Sequence, residues 1–284
     1  DIVRLWAASV DWQTEVPFSD KLFKQVTDPY RRLRNTLRIL LGNVSGFDAA
    51  TQSVAKAEMT LLDRWVLERL NEVITECRSA YEAYQFRKVF NQINQFCAHE
   101  LSALYVDITK DRMYCDAKDS SRRLAAQTVM HRVFDGLCRL IAPILVFTAD
   151  EAWEHAGNAG SVHEQDFPVE DPEFASGQAT TQINSLLELR AIIQTAIEKE
   201  VQAKTFNKNN EADVTVTLPA DHPCRPLLDK RDFVTEFFIL AELGVVTGDE
   251  VSATAKATAH CMCPRCRRYE PLVTDVCQRC SEVV

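Results

Sequence analysis

The residues that most constrain this chain are its last cysteines. Residues 263–266 read Cys-Pro-Arg-Cys, ten residues follow, and 277–280 read Cys-Gln-Arg-Cys. Each pair sets two thiolates on one tight turn, and two such turns close a tetrahedron around one ion. A single pair could be a redox motif or chance, but two at this spacing point to metal. Soft thiolates select zinc over magnesium or calcium. Cys263, Cys266, Cys277 and Cys280 are therefore expected to hold one zinc ion. Four protein ligands leave no open position, so such a site is structural rather than hydrolytic. The last thirty residues carry too little apolar side chain to fold unaided, so the ion is expected to hold them. His260 and Cys261 lie beside the pattern and are read as bystanders.

The other cysteines are Cys77, Cys97, Cys115, Cys138 and Cys224. Cys77, Cys97 and Cys138 fall on apolar helical stripes, where a free cysteine behaves as a small hydrophobe. A disulfide framework needs a secreted context that nothing here supports. Reduced thiols with a metal fit a cytoplasmic protein. No apolar run approaches the roughly 20 residues of a membrane span. The opening on Asp1, inside a structured-looking segment, reads as an excised fragment. The net charge of −9 argues mildly against a nucleic-acid partner, but it is unevenly spread. Nine Asp or Glu and no Lys or Arg lie between Arg139 and Arg190, and the remainder is close to neutral with local basic clusters. Local clusters, more than net charge, make a phosphate-binding surface.

Helical periodicity dominates the first half. Ser19–Asp20 and Asp28–Pro29 look like helix starts, with Asp28 as a cap, and Gly42 as a stop. Leu62, Val66, Leu70, Val73, Cys77, Ala80 and Tyr84 share one helix face, and so do Phe86, Phe90, Ile93, Cys97, Leu101, Leu104 and Ile108. A third helix is predicted over 121–141, before Pro143. Thr148 with Glu151 predicts a capping box for a short helix through Trp153. These stripes are core, and long helices with short connections form a bundle. His99 and His131 fall within helices, where a structural role is the reading. An acidic, proline-containing linker follows. Residues 183–203 are helical by period, Asp213 to Leu218 alternate as a strand, and 233–246 can hold a second strand with some helix.

One helix is basic. In Tyr30 to Gly42, Arg31, Arg34, Asn35 and Arg38 share a face opposite Leu33, Leu37, Leu40 and Leu41. Arginines can pair with phosphates while an asparagine offers hydrogen bonds to bases. A solvated face with ion pairs to neighbouring helices explains the same pattern equally well.

Taken together, these motifs resemble one family. DIVRLWAASVDW is similar to the segment that follows the KMSKS loop of isoleucyl-tRNA synthetases. SDKLFKQVTDPYRRLRNTLRILLGN resembles the start of their anticodon-binding region, and FTADEAW resembles its FTADEIW. The terminal cysteines resemble their C-terminal zinc module. The resemblance covers essentially the whole chain. It implies a mainly α fold: a class I synthetase anticodon-binding helical bundle, then a small α/β domain and a four-cysteine zinc module. The divisions expected are 1–18 as the end of the connection to the catalytic domain, 19–157 as the bundle, 158–180 as an acidic linker, 181–255 as the α/β domain and 256–284 as the zinc module.

The implied partner is isoleucine tRNA, held by its anticodon arm. The expected contacts are Arg31, Arg34, Asn35 and Arg38, with Arg265, Arg267 and Arg268 near the loop. The implied parent is a cytoplasmic, monomeric ligase that uses ATP and isoleucine. Its catalytic and editing domains have no counterpart here, so no ligase activity is expected of this chain alone. The sequence departs from the family at Arg267, where a tryptophan is usual, and at TFNKNNEADVTV before the strand. A rival of another class is a helical protein-interaction module with a structural zinc clip. A free-standing enzyme is disfavoured, because no nucleophile and base are arranged together.

Overall fold

The computed structural model describes residues 1–16, 18–273 and 275–283. In chain order the helices are α1 (Ile2–Ser9), α2 (Asp20–Gln25), α3 (Thr27–Val44), α4 (Ala49–Gln52), α5 (Leu61–Glu82), α6 (Phe86–Gln95), α7 (Asp107–Cys115), α8 (Ser121–Ile141), α9 (Val146–His155), α10 (Gln178–Gln202), α11 (Arg225–Leu228), α12 (Arg231–Phe238) and α13 (Gln278–Ser281). The strands are β1 (Ala212–Leu218), β2 (Glu242–Thr247) and β3 (Ser252–Ala257). The fold is mainly α with one small sheet. Internal packing divides it into two compact units: 1–107 with 124–177, and 108–123 with 178–284.

The first unit is a helical bundle built around α5. The predicted stripe from Leu62 to Ala80 is buried, and α5 packs on α6. Burying each Leu or Val of such a stripe contributes roughly 1.5–3 kcal/mol. Thr60 and Asp63 form a capping box that starts α5, and Tyr105 donates a buried hydrogen bond to Asp63 at 2.8 Å. The helix predicted to end near Ile108 instead continues to Cys115, and residues Phe96–Val106 run in wide π-type turns. Ile93, Cys97, Leu101 and Tyr105 are buried at steps of four. Cys77, Cys97 and Cys138 are buried among these helices, and burial pushes their thiols up, Cys77 and Cys97 to about 12.

Three local expectations differ in the structure. Ser19 does cap α2, through the Leu22 amide at 3.2 Å, but Asp28 lies inside α3 and pairs with Arg31 at 3.5 Å. The α3 helix passes Gly42 and ends at Val44, before Gly46 takes a positive φ of 77°. Thr148 and Glu151 form no capping box. Asp1 caps α9 from the far end of the chain, accepting from the Thr148 amide at 2.7 Å and its hydroxyl at 2.6 Å, while Glu151 is taken by Arg34.

The acidic stretch after α9 is not free chain. Val162 and Phe174 are buried in the first unit. Asn71 exchanges hydrogen bonds with the Asp171 backbone, donating at 2.8 Å and accepting at 2.9 Å. Arg132 pairs with the Asp171 carboxylate at 2.8 Å, and Arg78 reaches the Pro168 carbonyl. Through Gly177 the stretch is a strap over α5 and α8.

In the second unit β1 is the central strand, parallel to β2 and antiparallel to β3. Ala212, Val214, Val216 and Leu218 alternate into the core, as DVTVTL predicts. Ile183, Leu186, Leu189, Ile193 and Ile197 of α10 are buried, and α10 packs on β1 and β3. The apolar run 233–246 splits: α12 takes its first part and β2 its last. Strand β3 (Ser-Ala-Thr-Ala-Lys-Ala) was not expected, because small side chains give it little apolar alternation.

Candidate metal centre and nucleic-acid interface

Cys263, Cys266, Cys277 and Cys280 come together in the second unit, with their sulfurs all within 4.8 Å of one another. The Cys266 and Cys277 sulfurs are 3.7 Å apart. Four sulfurs at about 2.3 Å from one ion stand about 3.8 Å apart along each edge of a tetrahedron. The cluster therefore fits one closed, tetrahedral, thiophilic metal ion. Local hydrogen bonds shape the first turn: the Cys263 amide donates to the Arg268 carbonyl, and the Arg267 amide to the Cys263 carbonyl, each at 2.8 Å. Burial pushes the Cys263 thiol up, but amide hydrogen bonds from Cys266, Cys277 and Arg265 outweigh it and hold the thiol down at about 6. Burial raises Cys266 and Cys277. Cys261 is exposed and outside the cluster, and His260 lies 4.0 Å from Glu242.

Arginines clamp this module to residues 108–123. Arg265 donates to the Cys115 carbonyl at 2.7 Å and to the Cys280 sulfur at 3.3 Å. Arg279 makes a two-point pair with Asp111, at 2.5 and 3.0 Å, and reaches Asp116 at 3.1 Å. Burial pushes Asp111 up, but the Arg279 hydrogen bonds and charge outweigh it and bring the carboxyl below its ordinary value. Burial wins at Asp116, which is raised. Arg268 pairs with Glu270 at 3.0 Å and Asp111 at 3.7 Å. Arg112, fully buried, and Arg122 converge on Glu236 of α12.

The arginine face of α3 lies in the first unit and is exposed as its period requires, opposite buried Leu33, Leu37 and Leu40. Its members differ in freedom. Arg34 makes a two-point pair with Glu151 of α9, at 2.5 and 2.9 Å. The hydrogen bond to Glu151 raises the Arg34 pKa, and the same bond lowers Glu151. Arg31 pairs loosely with Asp28. Asn35 and Arg38 are exposed, and Arg38 joins Arg34, Glu151 and His155 around a shallow cleft of about 220 Å³.

Of the seven expected contact residues, Arg31, Arg34, Asn35 and Arg38 share one exposed face. Arg265 and Arg268 are tied into the metal module by the bonds above. Arg267 is exposed, and its backbone takes a positive φ of 62°. The clamp residues Asp111, Arg112, Asp116, Glu236 and Arg279 were not singled out from sequence. The clamp pairs Asp111–Arg279, Arg112–Glu236 and Asp116–Arg279 each join residues more than a hundred positions apart, so no local spacing signals them. The mixed charges of KDRMYCDAKDSSRR were the only hint.

The comparisons with known proteins complete the picture. Residues 63–216 match the family model described as the anticodon-binding domain of tRNA ligase. The chain belongs to the anticodon-binding family of tRNA ligases. The chain is also similar, along its whole length, to isoleucine–tRNA ligases. It is 37% identical over 303 residues to that of Brevibacillus brevis and 34% over 307 residues to that of Thermotoga petrophila, covering 33% of each relative. The ligase of Methylacidiphilum infernorum is 33% identical over 292 residues, 32% of its length. The chain thus spans about a third of the length of the curated relatives it matches. No helix among its described residues is long and apolar enough to cross a membrane.

Proposed function

We propose that this chain is the portion of an isoleucine–tRNA ligase that grips the anticodon arm of isoleucine tRNA. The observation that carries the reading is the similarity to isoleucine–tRNA ligases across the entire chain, four-cysteine cluster included. Cys263, Cys266, Cys277 and Cys280 hold a structural zinc ion, which fixes the second unit's C-terminal turns and takes no part in bond making. Arg31, Arg34 and Arg38 meet phosphates, and Asn35 offers its amide to a base edge. Arg267, the exposed arginine of the metal turn, meets the loop by stacking or by a phosphate contact. Arg265 and Arg268 act in binding only through the structure they hold. The ligase reaction, with ATP and isoleucine, belongs to the rest of a cytoplasmic, monomeric parent, and the chain alone is inactive in it. By this reading 1–18 closes the connection to the catalytic part, 19–157 is the bundle, 158–180 joins it to an α/β domain at 181–255, and 256–284 is the zinc module.

Binding to isoleucine tRNA, measured across a salt series, tests the arginine assignment. Each lost phosphate contact reduces the slope of log affinity against log salt by about 0.7–0.9. The triple variant R31A/R34A/R38A is expected to bind more weakly with a flatter slope. An unchanged slope removes these residues from the contact surface. Salt-insensitive capture of a protein, with no tRNA binding, supports the protein-interaction module instead.

A further inference from the structure

Tyr114 stands on the last turn of α7 with 75% of its surface exposed. Every neighbour along that turn is fixed from behind. Asp111 holds Arg279, Arg112 is buried on Glu236, Met113 is buried, and the Cys115 carbonyl accepts from Arg265. The backbone that carries the ring is therefore pinned on both sides, while most of the ring faces solvent. A rigid turn presenting an exposed tyrosine loses little entropy on binding, since only two side-chain torsions remain to be fixed. Lys118, in the loop that follows, is also exposed. Aromatic rings beside cations hold unpaired RNA bases, because every base offers a π face and the cations meet the backbone.

We propose that Tyr114 is a stacking platform for an unpaired base of the bound tRNA, held in place by the arginine clamp behind it. The inference rests on the tRNA-binding reading above. It is tested by the affinity of this chain for isoleucine tRNA across a salt series, with Tyr114→Ala, Tyr114→Phe and Tyr114→Trp beside the unaltered chain. Stacking per base is large enough that Y114A is expected to bind about tenfold more weakly. Its salt slope should be unchanged, because the ring carries no charge. Y114F and Y114W, which keep a π face, should stay within about twofold of the unaltered chain. Equal binding by Y114A, or equal losses in Y114A and Y114F, overturns the stacking role while leaving tRNA binding intact. If the unaltered chain binds no tRNA and binds a protein through this tip, the tRNA reading falls and this inference with it. The melting temperature of each variant separates a lost contact from a lost fold.

Discussion

The guanidinium of Arg112 is wholly buried and closes on both oxygens of Glu236, at 2.7 and 2.6 Å, across 124 residues of sequence. This pair fastens residues 108–123 to α12, and Arg122 adds a third bond to the same carboxylate at 2.8 Å. Removing Glu236 takes its two-point partner from a buried guanidinium, and loss of one member of a buried pair costs about 3–5 kcal/mol. Glu236→Leu is therefore expected to lower unfolding stability by that order in urea titration. Arg112→Met combined with E236L removes both charges and should recover most of the loss. A double variant as unstable as E236L would show that the pair's partners, rather than the charge, set the cost.

Metal loss should reach beyond the metal turns. Arg265 touches the Cys280 sulfur with the same nitrogen that holds the Cys115 carbonyl, and Arg279 joins Asp111 and Asp116 next to Cys280 in sequence. Chelation is expected to increase amide exchange both in 261–281 and in 108–116, with β1 to β3 less affected because that sheet has its own apolar core under α10. Exchange confined to 261–281 would mean that the clamp holds without the ion.

Glu151 sets how much of Arg34 is available to a phosphate. The Arg34 hydrogen bond holds the Glu151 carboxyl below its ordinary value. A depressed carboxyl favours the paired form above the ordinary value and loses it as pH falls through the lowered one. The pair is therefore intact at neutral pH and opens only in acid, below the ordinary carboxylate range. Carbon-detected NMR titration should find Glu151 low in the unaltered chain and back at its ordinary value in Arg34→Ala. Glu151→Gln frees Arg34 at neutral pH, and should strengthen tRNA binding several-fold while steepening the salt slope by up to about 0.9. A slope unchanged by E151Q would mean that Arg34 remains an α3–α9 tie and never meets phosphate.

Local patterns in the sequence carried the helices of the bundle, the strand from Asp213 to Leu218 and the grouping of the four cysteines. Each of these depends on spacing over a few residues. What stayed hidden depends on distant chain. Thr148 and Glu151 have the spacing of a capping box, yet Asp1 supplies the cap and Arg34 recruits the glutamate. Residues Cys261 to Arg268 offer three arginines that look alike, and only their partners distinguish the exposed Arg267 from the engaged Arg265 and Arg268. The strap from Gly157 to Gly177 reads as solvent-facing by composition, but Asn71, Arg78 and Arg132 supply the partners for its backbone and its carboxylate. The wide turns from Phe96 to Val106 are not anticipated by a pattern read at a fixed 3.6-residue period.

Recognition of the anticodon arm of isoleucine tRNA by this chain is tested by comparing two affinities at physiological salt. One ligand is isoleucine tRNA, and the other is the same tRNA with its anticodon exchanged. A mismatched base that leaves a polar partner unpaired costs on the order of 1–3 kcal/mol, so the native anticodon should bind at least about fivefold more tightly. Equal affinity for the two would contradict recognition of the anticodon and leave this chain a general phosphate-binding surface.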